Sequence, residues 1–142
     1  MSTGRERELR LLTWLLAVAI AVSVVHYADN YFNYSDFPHG SGPEPSAGLV
    51  LAGWFILTPL GIAGWVFFRR GDVATAGLLL MAYSVSGLVG LGHYTVDGMT
   101  DEPVWRQAHV VADILLGLAM FGFGLRAFLG ARGRPAGRSR EA

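Results

Sequence analysis

Four long apolar runs, separated by short polar stretches, restrict the fold of this chain more than any other feature. They cover residues 9–27, 47–68, 73–94 and 108–129. A helix needs about 20 predominantly apolar residues to cross the hydrocarbon core of a bilayer, so each run is long enough to span it. The runs lack the alternation of transmembrane β-strands, and helices satisfy their own backbone hydrogen bonds within lipid. We therefore predict an all-α fold, a four-helix transmembrane bundle in residues 1–130.

The composition is also typical of a membrane protein. Hydrophobic residues make up 52% of the chain and charged residues only 15%, so the charges are confined to short stretches. The formal net charge is zero, which gives no reason to expect a nucleic-acid partner. The expected partners are the lipid bilayer and other membrane subunits or further copies of the chain. The absence of cysteine excludes disulfides and thiolate ligands.

The distribution of the arginines predicts the orientation. Of the eleven basic residues, all of them arginine, only Arg106 lies on the side of the membrane opposite the termini. Basic residues favour the cytoplasmic side, so we predict cytoplasmic termini in the inner (plasma) membrane and a disordered basic tail at 131–142. The small-x-small sequence Ala19–Ala21 allows the alternative of a cleaved signal peptide. The first apolar run continues to Val25, which favours a retained span.

Small residues in the second, third and fourth runs predict close helix packing, because small side chains let helix backbones approach each other within lipid. In the third run they recur every four residues and form one smooth face. The residues that we assign to packing are Gly53, Gly61, Gly64, Ala82, Ser86, Gly90, Gly117, Gly122 and Gly124.

All four histidines fall on the predicted outer side. His39 lies in the first outer loop, and each of the other three is followed by an acid three or four residues later, a spacing that shares a helix face. These pairs are His26 with Asp29, His93 with Asp97, and His109 with Asp113. The carboxylate of Asp113 lies about one turn inside the fourth run, where an unpaired charge is costly. We predict that its partner is His109.

Imidazoles and carboxylates without thiolates suit zinc, copper, iron or manganese. The predicted metal ligands are His26, His93 and His109, while Asp29 and Asp113 serve as ligands or orient the rings. Three histidines with one coordination position left open are typical of catalytic centres. An enzyme of this kind is expected to hydrolyse or oxidise an apolar substrate.

Two other functions fit the same residues. Histidine and aromatic side chains favour the headgroup zone, so the histidines could be structural in a non-catalytic accessory subunit of a larger membrane complex. A haem bound by two histidines is less favoured, because the histidines lie near helix ends rather than in mid-span. The repeated His-Tyr pair and the nearby amide add Tyr27, Asn30 and Tyr94 as candidate substrate-binding residues.

The stretch 26–30, His-Tyr-Ala-Asp-Asn, is followed by aromatic residues and Phe37-Pro38. With His93-Tyr94 and the spacing of His109 and Asp113, it resembles small four-span membrane proteins of GC-rich bacteria for which no activity is known. The resemblance covers most of residues 20–115 and implies four helices, without implying any catalytic role.

Overall fold

A computed structural model describes residues 3–42 and 44–133. Within these residues there is no strand, and the predicted all-α fold is confirmed. The long helices are α1 (Thr3–Phe32), α2 (Ala47–Arg70), α3 (Val73–Leu88) and α4 (Val104–Arg132), with 3-10 segments at Tyr34–Asp36, Val89–Thr95 and Met99–Asp101. When the 3-10 continuation of α3 is included, each of the four is long and apolar enough to cross a membrane. The chain is therefore a multi-pass membrane protein.

Two helices extend well beyond the apolar runs that predict them. α1 continues to Phe32, so Asp29 and Asn30 lie within the helix rather than in the following loop. α4 begins at Val104 and reaches Arg132, inside the predicted tail. The rest of that tail, residues 134–142, lies outside the described residues. Hydropathy ends each predicted span where polar residues begin. α1 continues past that point because Asp29 and Asn30 find hydrogen-bond partners inside the bundle.

The third span changes its winding near the end opposite the α2–α3 turn. α3 gives way to the 3-10 segment Val89–Thr95, which carries Gly90, Gly92 and His93. Glycine is a poor α-helix former, and 3-10 winding is common at helix ends. The segment keeps the chain helical up to His93.

The turn between α2 and α3 is closed by well-formed caps. Gly71 adopts a left-handed conformation with φ of 97°, which glycine accepts without steric cost. The side chain of Asp72 accepts a hydrogen bond from the Thr75 backbone N–H at 3.1 Å. Arg5 of α1 donates to the Phe68 carbonyl oxygen at 3.0 Å. These contacts tie the start of the chain to this end of the bundle.

The apolar core occupies the half of the bundle nearest this turn. Its buried members come from all four helices and pack against one another. They are Leu12, Leu16, Ala19, Phe68, Ala76, Leu80, Tyr83 and Met120. Many apolar residues on the helix faces that point away from the bundle remain exposed, as expected for a protein surrounded by lipid.

α3 and α4 approach each other closely at two levels, and each level pairs two glycines. A methyl group added to Gly117 would lie 3.0 Å from the Ser84 carbonyl oxygen and 3.3 Å from the Gly87 carbonyl carbon. Near the other end, a methyl group on Gly124 would lie 2.8 Å from the Gly77 carbonyl oxygen. Only glycine permits this separation, so the two helices are held at backbone contact.

α2 packs fully into the bundle only in its second half. Its buried residues are Thr58, Gly61, Gly64 and Phe68, whereas none of the residues 47–57 is buried. One contact bridges the looser half, where the Trp54 indole N–H donates to Ser23 Oγ at 3.0 Å. The first half of α2 therefore leaves space between itself and the ends of α1 and α3 that lie opposite the α2–α3 turn.

Candidate functional site

The five predicted metal ligands lie together at the end of the bundle opposite the α2–α3 turn. α1 contributes two of them, the 3-10 continuation of α3 one and α4 two, and all except His93 are buried. The ring centroid of His26 lies 5.4 Å from that of His93 and 5.5 Å from that of His109. His26 is thus the central member of the cluster.

The acids exchange partners relative to the sequence prediction. His26 Nδ1 lies 2.7 Å from Asp113 Oδ2, and His109 Nε2 lies 3.1 Å from Asp29 Oδ2. The prediction that Asp113 pairs with His109 is wrong. α1 and α4 run antiparallel. His26 and Asp113, the members of the two pairs that lie nearer the middle of the bundle, therefore meet each other. Each carboxylate therefore reaches across the bundle instead of along its own helix.

These carboxylates determine which ring nitrogens carry protons. An ionised carboxylate only accepts hydrogen bonds, so His26 Nδ1 donates to Asp113. In a neutral His26 ring the Nε2 atom is then left with a lone pair. This atom lies 3.3 Å from His93 Nε2. With no metal bound, the His93 Nε2–H donates to this lone pair, so two imidazole nitrogens from different spans face each other at hydrogen-bond distance.

His109 offers a further ring nitrogen with a lone pair. Its Nε2 donates to the Asp29 carboxylate, which leaves a lone pair on Nδ1 when the ring is neutral. This Nδ1 atom is buried and has no hydrogen-bond partner. Buried polar atoms are nearly always paired, so an unpaired one needs an explanation such as a ligand, an ion or a functional role.

One pair of rings has the spacing of a metal centre, but the third ring is not yet in place. With metal–nitrogen bonds of about 2.0–2.1 Å, tetrahedral geometry puts ligand nitrogens about 3.3–3.4 Å apart and ring centroids about 5.2 Å apart. The His26–His93 pair meets the first value, at 3.3 Å. Among residues 3–42 and 44–133, however, no group of three or more histidine and acidic side chains is arranged to hold a metal ion. The donor atom that remains to be brought in is His109 Nδ1.

Arg106 is a member of the site that the sequence prediction missed. Its Nε donates to Asp29 Oδ2 at 3.0 Å, and its Nη1 donates to Glu102 Oε2 at 2.6 Å. The guanidinium carbon lies 4.4 Å from the centroid of the Phe37 ring, a cation–π contact. Arg106 thus neutralises Asp29, the carboxylate that orients His109. Its four-residue spacing from Glu102 and its position as the lone predicted outer arginine were the available signals.

His39 and Asp97 lie outside the cluster. His39 Nδ1 pairs with Glu44 Oε2 at 2.6 Å in the first outer loop, and Asp97 is exposed. The Gly40 backbone N–H, followed by the His39 ring, holds the pKa of the Glu44 carboxyl below its usual range. The Glu44 carboxylate therefore joins His39 and Gly40 and fixes this loop, an arrangement called the loop clamp below.

The loop clamp predicts a dependence on pH. A carboxyl with a lowered folded-state pKa stabilises the fold above its unfolded pKa, about 4.3 for glutamate, and loses that contribution as pH falls through the folded value. We expect the Gly40 amide proton to move upfield on acidification, with a midpoint below about 4.3. NMR of labelled protein in detergent measures this shift. Glu44→Gln is the control and lacks the transition; a wild-type midpoint at or above 4.3 contradicts the clamp.

A cavity of about 690 Å³ lies against this cluster and is called the outer cavity below. His26 and His93 form part of its wall, and so do two of the three candidate substrate-binding residues, Tyr27 and Asn30. The Tyr27 hydroxyl donates to the Ser86 carbonyl oxygen at 2.8 Å. The remaining candidate, Tyr94, is exposed and is not among the described residues that line the cavity.

Comparisons of the chain with protein-family models, with curated proteins and with solved structures give no match. The resemblance to small four-span proteins of GC-rich bacteria therefore stays a prediction.

Proposed function

We propose that this protein binds one divalent transition metal through His26, His93 and His109. The metal is zinc, copper, iron or manganese, because these ions suit imidazole ligands in the absence of thiolates. The centre lies at the outer face of the plasma membrane. The observation that carries the proposal is the pair of Nε2 atoms, His26 and His93, which lie 3.3 Å apart on two different spans.

The two carboxylates support this assignment in a second way. A metal-bound histidine commonly donates its other ring N–H to a carboxylate, which fixes the tautomer and the ring orientation. Asp113 occupies this position on His26, and Asp29 occupies it on His109. Each carboxylate thereby directs a lone pair to the remaining nitrogen. In our proposal Asp29 and Asp113 orient the ligands and do not bind the metal themselves.

The third ligand requires a small adjustment of the His109 ring. Its Nδ1 atom is buried without a partner, and its ring centroid is 5.5 Å from that of His26. In our proposal, rotation about the Cβ–Cγ bond of His109 and a shift of Asp29 place this atom beside the pair. Metal binding would satisfy this buried, unpaired ring nitrogen.

Three histidine ligands leave one coordination position open. A metal ion held there acts as a Lewis acid toward an oxygen atom of a bound molecule. The protein itself contributes the fixed rings, the charge balance between Asp29 and Arg106, and the adjoining cavity. These features fit a metal-dependent enzyme that acts on an apolar substrate.

Metal analysis of protein purified in detergent tests the proposal. We expect close to one equivalent of a single transition metal in the wild type, and its loss in His26→Ala, His93→Ala and His109→Ala. His39→Ala is the matched control, because His39 lies in the loop and pairs only with Glu44. We expect this variant to keep the metal. Asp113→Asn should weaken the affinity for the metal by about 10–100-fold.

The result that contradicts the proposal is a correctly folded wild type that takes up no stoichiometric metal from any of the four salts. Equal metal loss in His39→Ala contradicts it as well, since binding would then be unspecific. Circular dichroism and gel filtration of each variant separate metal loss from unfolding. A Soret band in the purified protein would replace the proposal with a haem, and a metal-free protein that always co-purifies with other subunits would favour the accessory-subunit hypothesis.

A further inference from the structure

The outer cavity extends from the outer end of the bundle toward its middle. Its α2 wall runs from Leu49 to Leu57, which corresponds to about 12 Å at a rise of 1.5 Å per residue. The hydrogen bond between Trp54 and Ser23 places these two residues at one level. His26 lies about one turn further toward the outer end. The histidines therefore face the outer part of the cavity, and Leu57 marks its deep end.

The lining changes in character along this length. Its deep and lateral walls are apolar and include Leu49, Val50, Leu57 and Val89. Polar groups gather at the outer end, where His26 and His93 lie beside the loop. Such an amphipathic cavity matches a molecule with one polar end and a long apolar remainder. Its volume of about 690 Å³ is within the range of small-molecule sites.

Two observations restrict the molecule further. The described residues that line the cavity include neither arginine nor lysine, and the one lining acid, Glu44, pairs with His39. Apart from the proposed metal ion, a phosphate or carboxylate group would find no permanent positive charge there, and burying an unpaired charge is costly. The lining residue Leu49 is also 63% exposed, so the cavity reaches the apolar outer surface of α2. The molecule would therefore be uncharged and enter from the lipid.

We propose that the outer cavity receives the aliphatic chain of an uncharged membrane amphiphile, with an alcohol, ester or carbonyl oxygen placed beside His26 and His93. The proposal that an amphiphile occupies the cavity rests on the shape and lining of the cavity alone. The further step, that this oxygen meets a metal ion, rests on the proposed function above. The inference thus names the chemical class of substrate for the candidate centre.

Photolabelling of the protein in phosphatidylcholine vesicles tests this inference. The probe is a hexadecanol that carries a diazirine in its chain, and excess unlabelled hexadecanol defines the saturable part of the labelling. Gly53→Phe is the blocking variant, because Gly53 lines the cavity and a Cβ there meets no atom within 4 Å. Gly122→Phe is the matched control, since Gly122 of α4 has equally open surroundings but does not line the cavity.

We expect saturable labelling of peptides from α2 and the segment Val89–Thr95. It should be lost in Gly53→Phe and retained in Gly122→Phe. Labelling that is unsaturable, or that both phenylalanine variants retain equally, overturns the inference. Stronger competition by hexadecyl phosphate than by hexadecanol overturns the uncharged end group.

Metal content measured in the same samples separates the two proposals. A wild type that holds its metal without saturable labelling refutes the amphiphile and leaves the metal centre standing. A metal-free wild type with saturable labelling of the cavity does the reverse.

Discussion

Replacing Arg106 with methionine is expected to lower the free energy of unfolding by about 3–5 kcal/mol, the cost of removing one partner from a buried ion pair. Methionine keeps most of the apolar stem and removes the charge. Asp29 would then remain buried beside the neutral His109 ring, with only Asn33 and that ring as hydrogen-bond partners. Thermal or SDS-induced unfolding in detergent measures the effect.

Arg126→Met is the matched control for this change. Arg126 is also on α4 and also pairs with an acid of α1, since its Nη2 lies 2.6 Å from Glu8 Oε1. Its side chain is 79% exposed, and exposed pairs contribute only about 0–1 kcal/mol. Equal losses in the two variants would show that Arg106 has no special role in neutralising Asp29. Arg106→Met combined with Asp29→Asn should recover part of the lost stability.

Gly87→Ala is expected to destabilise the contact between α3 and α4 by about 1–3 kcal/mol, as overpacking does in other tightly packed interiors. The added methyl group would lie 3.2 Å from Gly117 Cα and 3.1 Å from the Asp113 carbonyl carbon, and closer still to the Asp113 carbonyl oxygen. Backbone atoms cannot turn aside as a flexible side chain does, so the helices must separate. The shift displaces Asp113, and we expect weaker metal binding together with a lower melting temperature.

Gly122→Ala provides the comparison for Gly87→Ala. It makes the same change in the neighbouring helix, but a Cβ at Gly122 meets no atom within 4 Å. Alanine is a better helix former than glycine by about 1 kcal/mol, so stability should stay unchanged or rise slightly. If Gly87→Ala is tolerated as well as Gly122→Ala, the close approach of α3 and α4 does not position Asp113.

Hydropathy predicted the four spans because the need for about 20 apolar residues is a strong physical constraint. The same criterion placed the helix ends wrongly, because it stops a predicted span at the first polar residues. Asp29 and Asn30 are polar, so the predicted span stops before them, whereas α1 continues to Phe32. Local sequence does not show that another helix will satisfy these groups.

The assignment of glycines to helix packing was partly correct. Gly117 and Gly124 do lie at the α3–α4 contact, but Gly53 and Gly122 have open surroundings, where an added Cβ meets no atom within 4 Å. Glycine composition alone cannot show which face of a helix meets a neighbour. The facing residue on α3, Gly87, is identified only once the register of the two helices is known.

The composition of the histidine cluster was predictable, because histidines and acids gather at the outer ends of three spans. Which acid pairs with which histidine was not predictable. Spacing of three or four residues predicts neighbours on one helix, and both acids instead found the histidine of the other helix. The choice depends on the register of α1 against α4, which tertiary packing sets. Arg106 was missed because its role appears only when Asp29 is placed opposite it.

The crossed pairing joins α1 to α4, the first and fourth of the described spans. During synthesis His26 and Asp29 are made before Asp113 and Arg106, so the two acids and their partners are matched only when α4 joins the bundle. A ribosome product that stops before residue 104 keeps an unneutralised carboxylate on its first helix. Assembly of the site thus waits for α4, and a chain that lacks α4 leaves the Asp29 carboxylate without its Arg106 partner.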